Sequence, residues 1–145
     1  MLVVTDDPGL KEFFSEGLVY GGFWTSTVAN ALQTLEVFRL RSFDLVLIDA
    51  HLGGMGALEL LKRLRGRSTR APQAARTDVP ILLVTDEPAA ADPSDARESG
   101  ADGILTAPIE LEEIVPRLHQ IIEDWRAKHP GHPMADAAEQ GKPDN

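Results

Sequence analysis

Five short apolar runs alternate along the chain with stretches whose apolar residues recur at helical spacing. The runs occupy residues 2–5, 23–26, 45–49, 81–85 and 104–106. Apolar runs of this length, bounded by turn residues, are typical of strands buried on both faces of a parallel sheet. Helical spacing follows them at residues 8–18, 28–38, 57–65, 86–99 and 111–125, although the fourth of these patterns is weak. The alternation predicts a parallel sheet with helices on both faces.

Right-handed crossovers leave few topologies for such a pattern. We predict a flavodoxin-like doubly wound sheet of five parallel strands in the order 2-1-3-4-5, with five helices. The predicted domain covers residues 1–127. Residues 128–145 are rich in Pro, Gly, Ala and charge, and they predict a disordered C-terminal tail.

Three local features refine this outline. Asp7 stands before Pro8 and is expected to cap the first helix. Pro116 lies inside the last helical pattern, and we expect it to kink that helix or to confine regular helix to the part beyond it. Residues 66–78 have no periodicity and several positive charges, so we expect a solvated insertion rather than a docking site for an acidic partner.

Composition excludes several classes of function. The chain has 145 residues and no cysteine, which excludes disulfides, thiolate metal sites and thiol nucleophiles. A net charge of −9 argues against nucleic-acid binding. No apolar run approaches the length of a membrane span. Strand-like sequence begins at Leu2 without a recognisable leader, so a cytoplasmic protein is expected.

Polar side chains stand at the ends of three predicted strands. These are Asp6 and Asp7, Asp49, and Thr85. The first, third and fourth strands are neighbours in the predicted order, so their ends can meet at the edge where open parallel sheets bind ligands. Clustered carboxylates repel one another, and a hard cation such as Mg²⁺ relieves that repulsion. An aspartate in such a pocket can act as a nucleophile toward phosphorus.

Four segments in this order resemble the response regulator receiver domain of two-component signalling, over residues 2–125. They are Val3-Val4-Thr5-Asp6-Asp7, Asp44-Leu45-Val46-Leu47-Ile48-Asp49, Leu83-Val84-Thr85 and Gly100-Ala101-Asp102-Gly103. The resemblance implies that Asp49 accepts a phosphoryl group from a histidine kinase or phosphotransfer protein. It also implies that Thr85 contacts the phosphate, and that Asp6, Asp7, Asp49 and the backbone carbonyl of His51 hold Mg²⁺.

The chain departs from the family pattern around this site. Ala107 occupies the position of the family's lysine before the proline that follows the fifth strand, so a charge-assisted contact is lost. Asp86 follows Thr85 where the family favours a small residue. Three further positions also differ, namely Ile104 in place of an aromatic residue, Gly53 in place of a proline and Ala57 in place of a glycine. A fourth carboxylate without a lysine should favour metal binding and oppose arrival of a phosphoryl dianion.

Two interpretations therefore stay open for a signalling domain that is not an enzyme. The first is a phosphorylatable switch in a phosphorelay, and the second is a pseudo-receiver that binds partners without phosphorylation. In both, the face formed by the fourth helix, fifth strand and fifth helix is the expected partner surface. Because only a short tail follows the last helix, we expect a stand-alone receiver whose output is a partner protein or a second copy of the chain, as a homodimer.

Two other classes of protein use similar residues. Asp49-Ala50-His51-Leu52-Gly53-Gly54 resembles the motif that places a histidine on the cobalt of vitamin B12, but it follows the third strand instead of the first. A solvent-facing loop residue is the preferred interpretation of His51. A haloacid dehalogenase type of phosphatase needs a second acid at the position of His51, and we discard it.

Overall fold

Five strands and five helices alternate in the computed structural model, which describes residues 1–69, 76–87 and 91–133. In chain order these elements are β1 (Leu2–Val4), α1 (Pro8–Tyr20), β2 (Ser26–Val28), α2 (Ala31–Leu40), β3 (Val46–Asp49), α3 (Ala57–Leu64), β4 (Ile81–Thr85), α4 (Pro93–Ser99), β5 (Gly103–Thr106) and α5 (Leu111–Lys128). The alternation predicted from the hydrophobic pattern is confirmed.

The strands form one parallel sheet in the order β2-β1-β3-β4-β5, as predicted. Asp49 is in register with Val84, and Thr85 is in register with Thr106, so the carboxyl ends of β3, β4 and β5 share one edge. Alternate residues of β1 enter different cores, Leu2 and Val4 on one face and Val3 on the other. Helices cover both faces, because every strand side chain in the sheet centre needs an apolar partner.

The second strand lies later in the chain than its apolar residues predicted. The prediction for residues 23–26 is wrong in its boundaries, since β2 covers Ser26–Val28. Phe23 is buried in the turn that ends α1, where its N–H donates to the Leu18 carbonyl, and Trp24 is 68% exposed. Val28 therefore belongs to the strand, and α2 begins only after Asn30, whose side chain accepts a hydrogen bond from the Gln33 N–H.

Regular helix in α5 begins before Pro116, so of the two outcomes expected for this proline, the confinement of regular helix to the part beyond it is wrong. Pro116 removes the N–H that would bond to the carbonyl of Glu112, a residue exposed to water. The turns around it pack tightly on α1. A Cβ atom at Gly17 would lie 2.6 Å from Leu111 Cδ1, and one at Gly21 would lie 2.7 Å from Val115 Cγ2.

Arg65 connects the end of α3 to the segments that precede β4 and β5. Its guanidinium donates to the carbonyls of Gly100 and Thr77 at 3.0 and 2.9 Å and to Asp102 Oδ2 at 2.8 Å. The same Asp102 oxygen accepts a hydrogen bond from the Ile81 N–H. Burial lowers the pKa of Arg65 from its usual value, and the charges of Asp102 and Asp78 oppose that shift.

The loop and the tail that the sequence predicted lie partly outside the described residues. Of the predicted loop, residues 66–69 and 76–78 are described and carry no helix or strand. Beyond α5, the ring of His129 stacks on Trp125, and Trp125 Nε1 donates to the Asp78 carbonyl at 2.8 Å. Residues 134–145 of the predicted tail lie outside the described part. No helix in the described residues has the length and hydropathy required to cross a membrane.

Candidate functional site

Asp49 ends β3 in the middle of the sheet edge, and only 6% of it is exposed. Each carboxylate oxygen accepts a hydrogen bond. Oδ2 accepts from the Thr5 hydroxyl at 2.7 Å, and Oδ1 accepts from the His51 N–H at 2.9 Å. These neutral donors fix the rotamer of the carboxylate without cancelling its charge. The arrangement presents an oriented, anionic oxygen nucleophile at the edge of the sheet.

Thr5 is a site residue that the sequence did not predict. It follows β1, is only 2% exposed, and joins two predicted site residues through one hydroxyl. Thr5 Oγ1 donates to Asp49 Oδ2 and accepts from the N–H of Asp7 at 3.1 Å. A polar residue at the end of a buried strand was the available signal. Threonine is also common at strand ends that carry no site, so the residue type alone did not identify Thr5 as a site residue.

Asp6 and Asp7 occupy different positions relative to the pocket. Asp7 Oδ1 accepts the N–H of Gly9 at 2.9 Å, which confirms the predicted cap of α1. Asp6 Oδ2 lies 4.0 Å from the point that a Cβ atom on Gly53 would occupy, so this carboxylate approaches the loop after β3. No group of three or more His, Cys, Asp or Glu side chains within the described ranges is positioned to hold a metal ion. The magnesium site therefore stays a prediction.

Thr85 lies at the end of β4, beside β3, where the sequence placed it. Its hydroxyl is already engaged in a local turn. Oγ1 donates to the Glu87 carbonyl at 2.9 Å and accepts from the Glu87 N–H at 3.0 Å. Before Thr85 can donate to a phosphoryl oxygen, it must release the Glu87 carbonyl.

His51 and Asp86 form a pair across the edge of the sheet. His51 Nε2 lies 3.0 Å from Asp86 Oδ1 and 3.5 Å from Thr85 Oγ1. The two side chains are 44% and 72% exposed, respectively. His51 is exposed as predicted, but its ring points back to the end of β4. Asp86, which the sequence suggested would oppose an incoming anion, has an imidazole partner.

Ala107 lies beside Thr85, and its N–H donates to the Thr85 carbonyl at 2.8 Å. Its methyl group supplies neither charge nor a hydrogen-bond donor. Next to the site, a cleft of about 390 Å³ opens between the start of α3 and the start of α4. Its lining includes Ala50, Met55 and Asp95 but neither Asp49 nor Thr85. The candidate chemistry therefore belongs to the open sheet edge and not to this cleft.

The order of these strand ends and their side chains matches a known family. The family model described as the response regulator receiver domain matches residues 1–119. The chain belongs to the response regulator receiver domain family. Members are signalling modules that interact with histidine kinases or phosphotransfer proteins, and they generally bind Mg²⁺. The resemblance and the class of function predicted from the sequence are confirmed.

Two curated bacterial relatives show the extent of the similarity. The chain is 34% identical over 118 residues to the DNA-binding response regulator MtrA of Mycolicibacterium smegmatis, covering 81% of this chain and 48% of MtrA. It is 30% identical over 122 residues to the probable transcriptional regulatory protein TcrX of Mycobacterium tuberculosis, covering 84% of this chain and 49% of TcrX. The chain thus spans about half the length of these relatives, and the stand-alone architecture stays a prediction.

Solved structures agree with the fold. The receiver domain of the TMAO respiratory system response regulator TorR aligns with a TM-score of 0.69 and 30% identity, covering 85% of this chain and 96% of that one. The receiver domain of the sensor histidine kinase PA1611 from Pseudomonas aeruginosa aligns with a TM-score of 0.70 and 22% identity, covering 84% and 95%. The latter structure has a magnesium ion coordinated in its active site cleft. At that identity it supports the fold alone.

Proposed function

We propose that this receiver domain accepts a phosphoryl group on Asp49 and passes the signal on through protein contacts. The observation that carries the proposal is the position of Asp49, buried at the end of the central strand with both oxygens oriented by Thr5 and His51. In the transfer, an Asp49 oxygen attacks phosphorus and forms an O–P bond. The N–P bond of the donor phosphohistidine breaks, and its electron pair stays on the imidazole nitrogen, which takes up a proton.

The side chains around Asp49 suit a hard cation. Asp6, Asp49 and the backbone carbonyl of His51 offer only oxygen ligands, the type that Mg²⁺ prefers. We propose these three as the ligands. Asp7, the remaining predicted ligand, contributes negative charge beside them while its carboxylate caps α1. When bound, Mg²⁺ supplies positive charge that lowers the repulsion between the carboxylates and an incoming phosphoryl group.

Intact-protein mass tests the transfer. The protein is incubated with Mg²⁺ and acetyl phosphate, with Asp49→Asn in parallel. We expect a gain of one phosphoryl group in the wild type and no gain in the variant. Circular dichroism of the variant checks that it stays folded. A wild type that stays unmodified, under conditions that phosphorylate an ordinary receiver domain, contradicts the proposal.

Matched variants test the metal ligands. Mg²⁺ is titrated while the amide resonance of His51 is followed by NMR, because this N–H bonds directly to Asp49 Oδ1. Asp6→Asn should weaken Mg²⁺ binding by at least tenfold, since a charged oxygen ligand is lost. Asp7→Asn keeps an oxygen for the helix cap and should weaken binding less. Equal losses for the two variants would make Asp7 a ligand of the same rank.

A pseudo-receiver is the second candidate, and two observations favour it. The Thr85 hydroxyl hydrogen is directed at the Glu87 carbonyl, and Ala107 supplies no cation. Under this alternative, Asp49→Asn leaves partner binding intact. We propose the face of α4, β5 and α5 as the partner surface in both cases, because β5 is an edge strand. A sedimentation measurement with and without acetyl phosphate tests whether the partner is a second copy of the chain.

A further inference from the structure

The site at the sheet edge has few groups that could attract a phosphoryl dianion, as the residues after β1, β3, β4 and β5 show. In the described part of the chain they include the acids Asp6, Asp7, Asp86 and Glu87, together with Ala107. The hydroxyl hydrogen of Thr85 is engaged with Glu87. Among the first two residues that follow each of these four strands, His51 alone has a side-chain nitrogen that can donate a hydrogen bond. The position of the His51 ring relative to Thr85 therefore determines whether a side-chain N–H can reach a phosphoryl group on Asp49.

The ring of His51 is held where such a donor is needed. Its backbone N–H bonds to Asp49 Oδ1, and its Nε2 lies 3.5 Å from Thr85 Oγ1. These two contacts place the residue between the nucleophile and the hydroxyl at the end of β4. Because a carboxylate only accepts hydrogen bonds, Nε2 carries the hydrogen in its 3.0 Å contact with Asp86 Oδ1. A donor hydrogen is thus already held beside the end of β4, directed at Asp86 and 3.5 Å from the Thr85 hydroxyl.

The contact with Asp86 can be exchanged at little cost. Both side chains are substantially exposed, at 44% and 72%, and pairs of this kind are weak because water competes for them. A phosphoryl group on Asp49 brings three anionic oxygens to the same region and offers a stronger acceptor. Asp86 would then serve as a resting partner that keeps the ring oriented until the phosphoryl group arrives.

We propose that His51 is a phosphoryl-contact residue. Its Nε2–H, which donates to Asp86 in this structure, would instead donate to a phosphoryl oxygen on Asp49 and so supply the donor that Ala107 cannot. The inference rests on the proposed function and adds a residue to it. It requires only the hydrogen on Nε2, which a neutral donor of similar reach can replace.

Three variants separate this role from bulk, charge and fold. His51→Leu keeps side-chain volume without a donor, whereas His51→Gln keeps an N–H at about the reach of Nε2. With Mg²⁺ and acetyl phosphate, the initial rate of phosphorylation by intact mass should fall about tenfold in His51→Leu. His51→Gln should stay within about threefold of the wild type. Asp86→Asn should react at least as fast as the wild type, because the resting partner is weakened and a negative charge is removed.

A second measurement reports the contact itself. In protein labelled with ¹⁵N at histidine, the Nε2 resonance of His51 should move when Asp49 is phosphorylated and stay in place in Asp49→Asn. Because His51 and Asp86 are both exposed, the thermal midpoints of His51→Leu, His51→Gln and Asp86→Asn should match the wild type, which makes a folding defect visible.

The outcomes distinguish the inference from the function beneath it. Phosphorylation of the wild type at the same rate as His51→Leu overturns the role of His51 and leaves phosphoryl acceptance by Asp49 intact. Equal losses in His51→Leu and His51→Gln, or an unmoved Nε2 resonance, also overturn it. Absence of uptake by the wild type overturns both.

Discussion

Arg65 donates three hydrogen bonds that join separate segments of the chain, and replacing it by alanine tests how far they stabilise the fold. The guanidinium bonds to the carbonyls of Gly100 and Thr77 and to the carboxylate of Asp102. Only 10% of the Arg65 side chain is exposed, so water cannot readily take its place. Gly100 has φ +118, and a Cβ there would collide with the stem of Arg65, so these two residues pack closely.

The expected loss follows from these contacts. A hydrogen bond from a charged donor contributes about 1.5 kcal/mol, and two of the three acceptors are backbone carbonyls that the variant leaves without this partner. The bond to Asp102 contributes less, because that carboxylate is half exposed. Arg65→Ala should therefore lower the free energy of unfolding by about 3 kcal/mol, which corresponds to a fall of about 10 °C in the thermal midpoint.

Urea denaturation followed by tryptophan fluorescence measures this loss. Trp125 is a suitable reporter, because its Nε1 donates to the carbonyl of Asp78, next to Thr77. Arg65→Lys keeps the charge but cannot reach all three acceptors, so it should lose about half as much stability. Arg39→Ala, at an exposed position on α2, should change stability by less than about 0.5 kcal/mol. A loss below about 1 kcal/mol in Arg65→Ala would refute the reasoning.

Three further predictions concern the site and its supports. Thr5→Val removes the buried donor to Asp49 and should lower the free energy of unfolding by about 2 kcal/mol in urea, whereas a change below about 0.5 kcal/mol would contradict the importance of this bond. Trp125→Phe keeps an aromatic ring beside His129 but loses the bond to the Asp78 carbonyl, and it should cost about 1 kcal/mol by circular dichroism, so an unchanged midpoint would argue against the importance of this bond. Ala107→Lys places a cation beside Thr85 and should raise uptake from acetyl phosphate measured by mass, and equal uptake would mean that another residue is limiting.

Local signals predicted most of the fold. The apolar runs of β1, β3 and β4 identify buried central strands, because a strand covered on both faces must be apolar throughout. The edge strand β2 has half-buried residues, so Phe23 and Trp24, which belong to the connection between α1 and β2, gave the stronger apolar signal. Of the two outcomes expected for Pro116, regular helix only beyond it was wrong for a related reason. The loss of a helix hydrogen bond at a proline can be read from the sequence. The packing of α5 against Gly17 and Gly21, in and just after α1, cannot.

The sequence by itself determined the topology, the family and the residue at the centre of the site. Asp49 ends an apolar run in a series of alternating elements, and the alternation alone leaves few places for it. Tertiary structure decided which side chains contact it. Thr5 is 44 residues from Asp49, and His51 is 35 residues from Asp86. Hydrogen bonds over such separations depend on strand register and rotamers at the sheet edge, which no local pattern encodes. For the same reason, the sequence did not show that Thr5 is the partner of Asp49, whereas the cap that Asp7 forms with Gly9 is a local contact and was predicted.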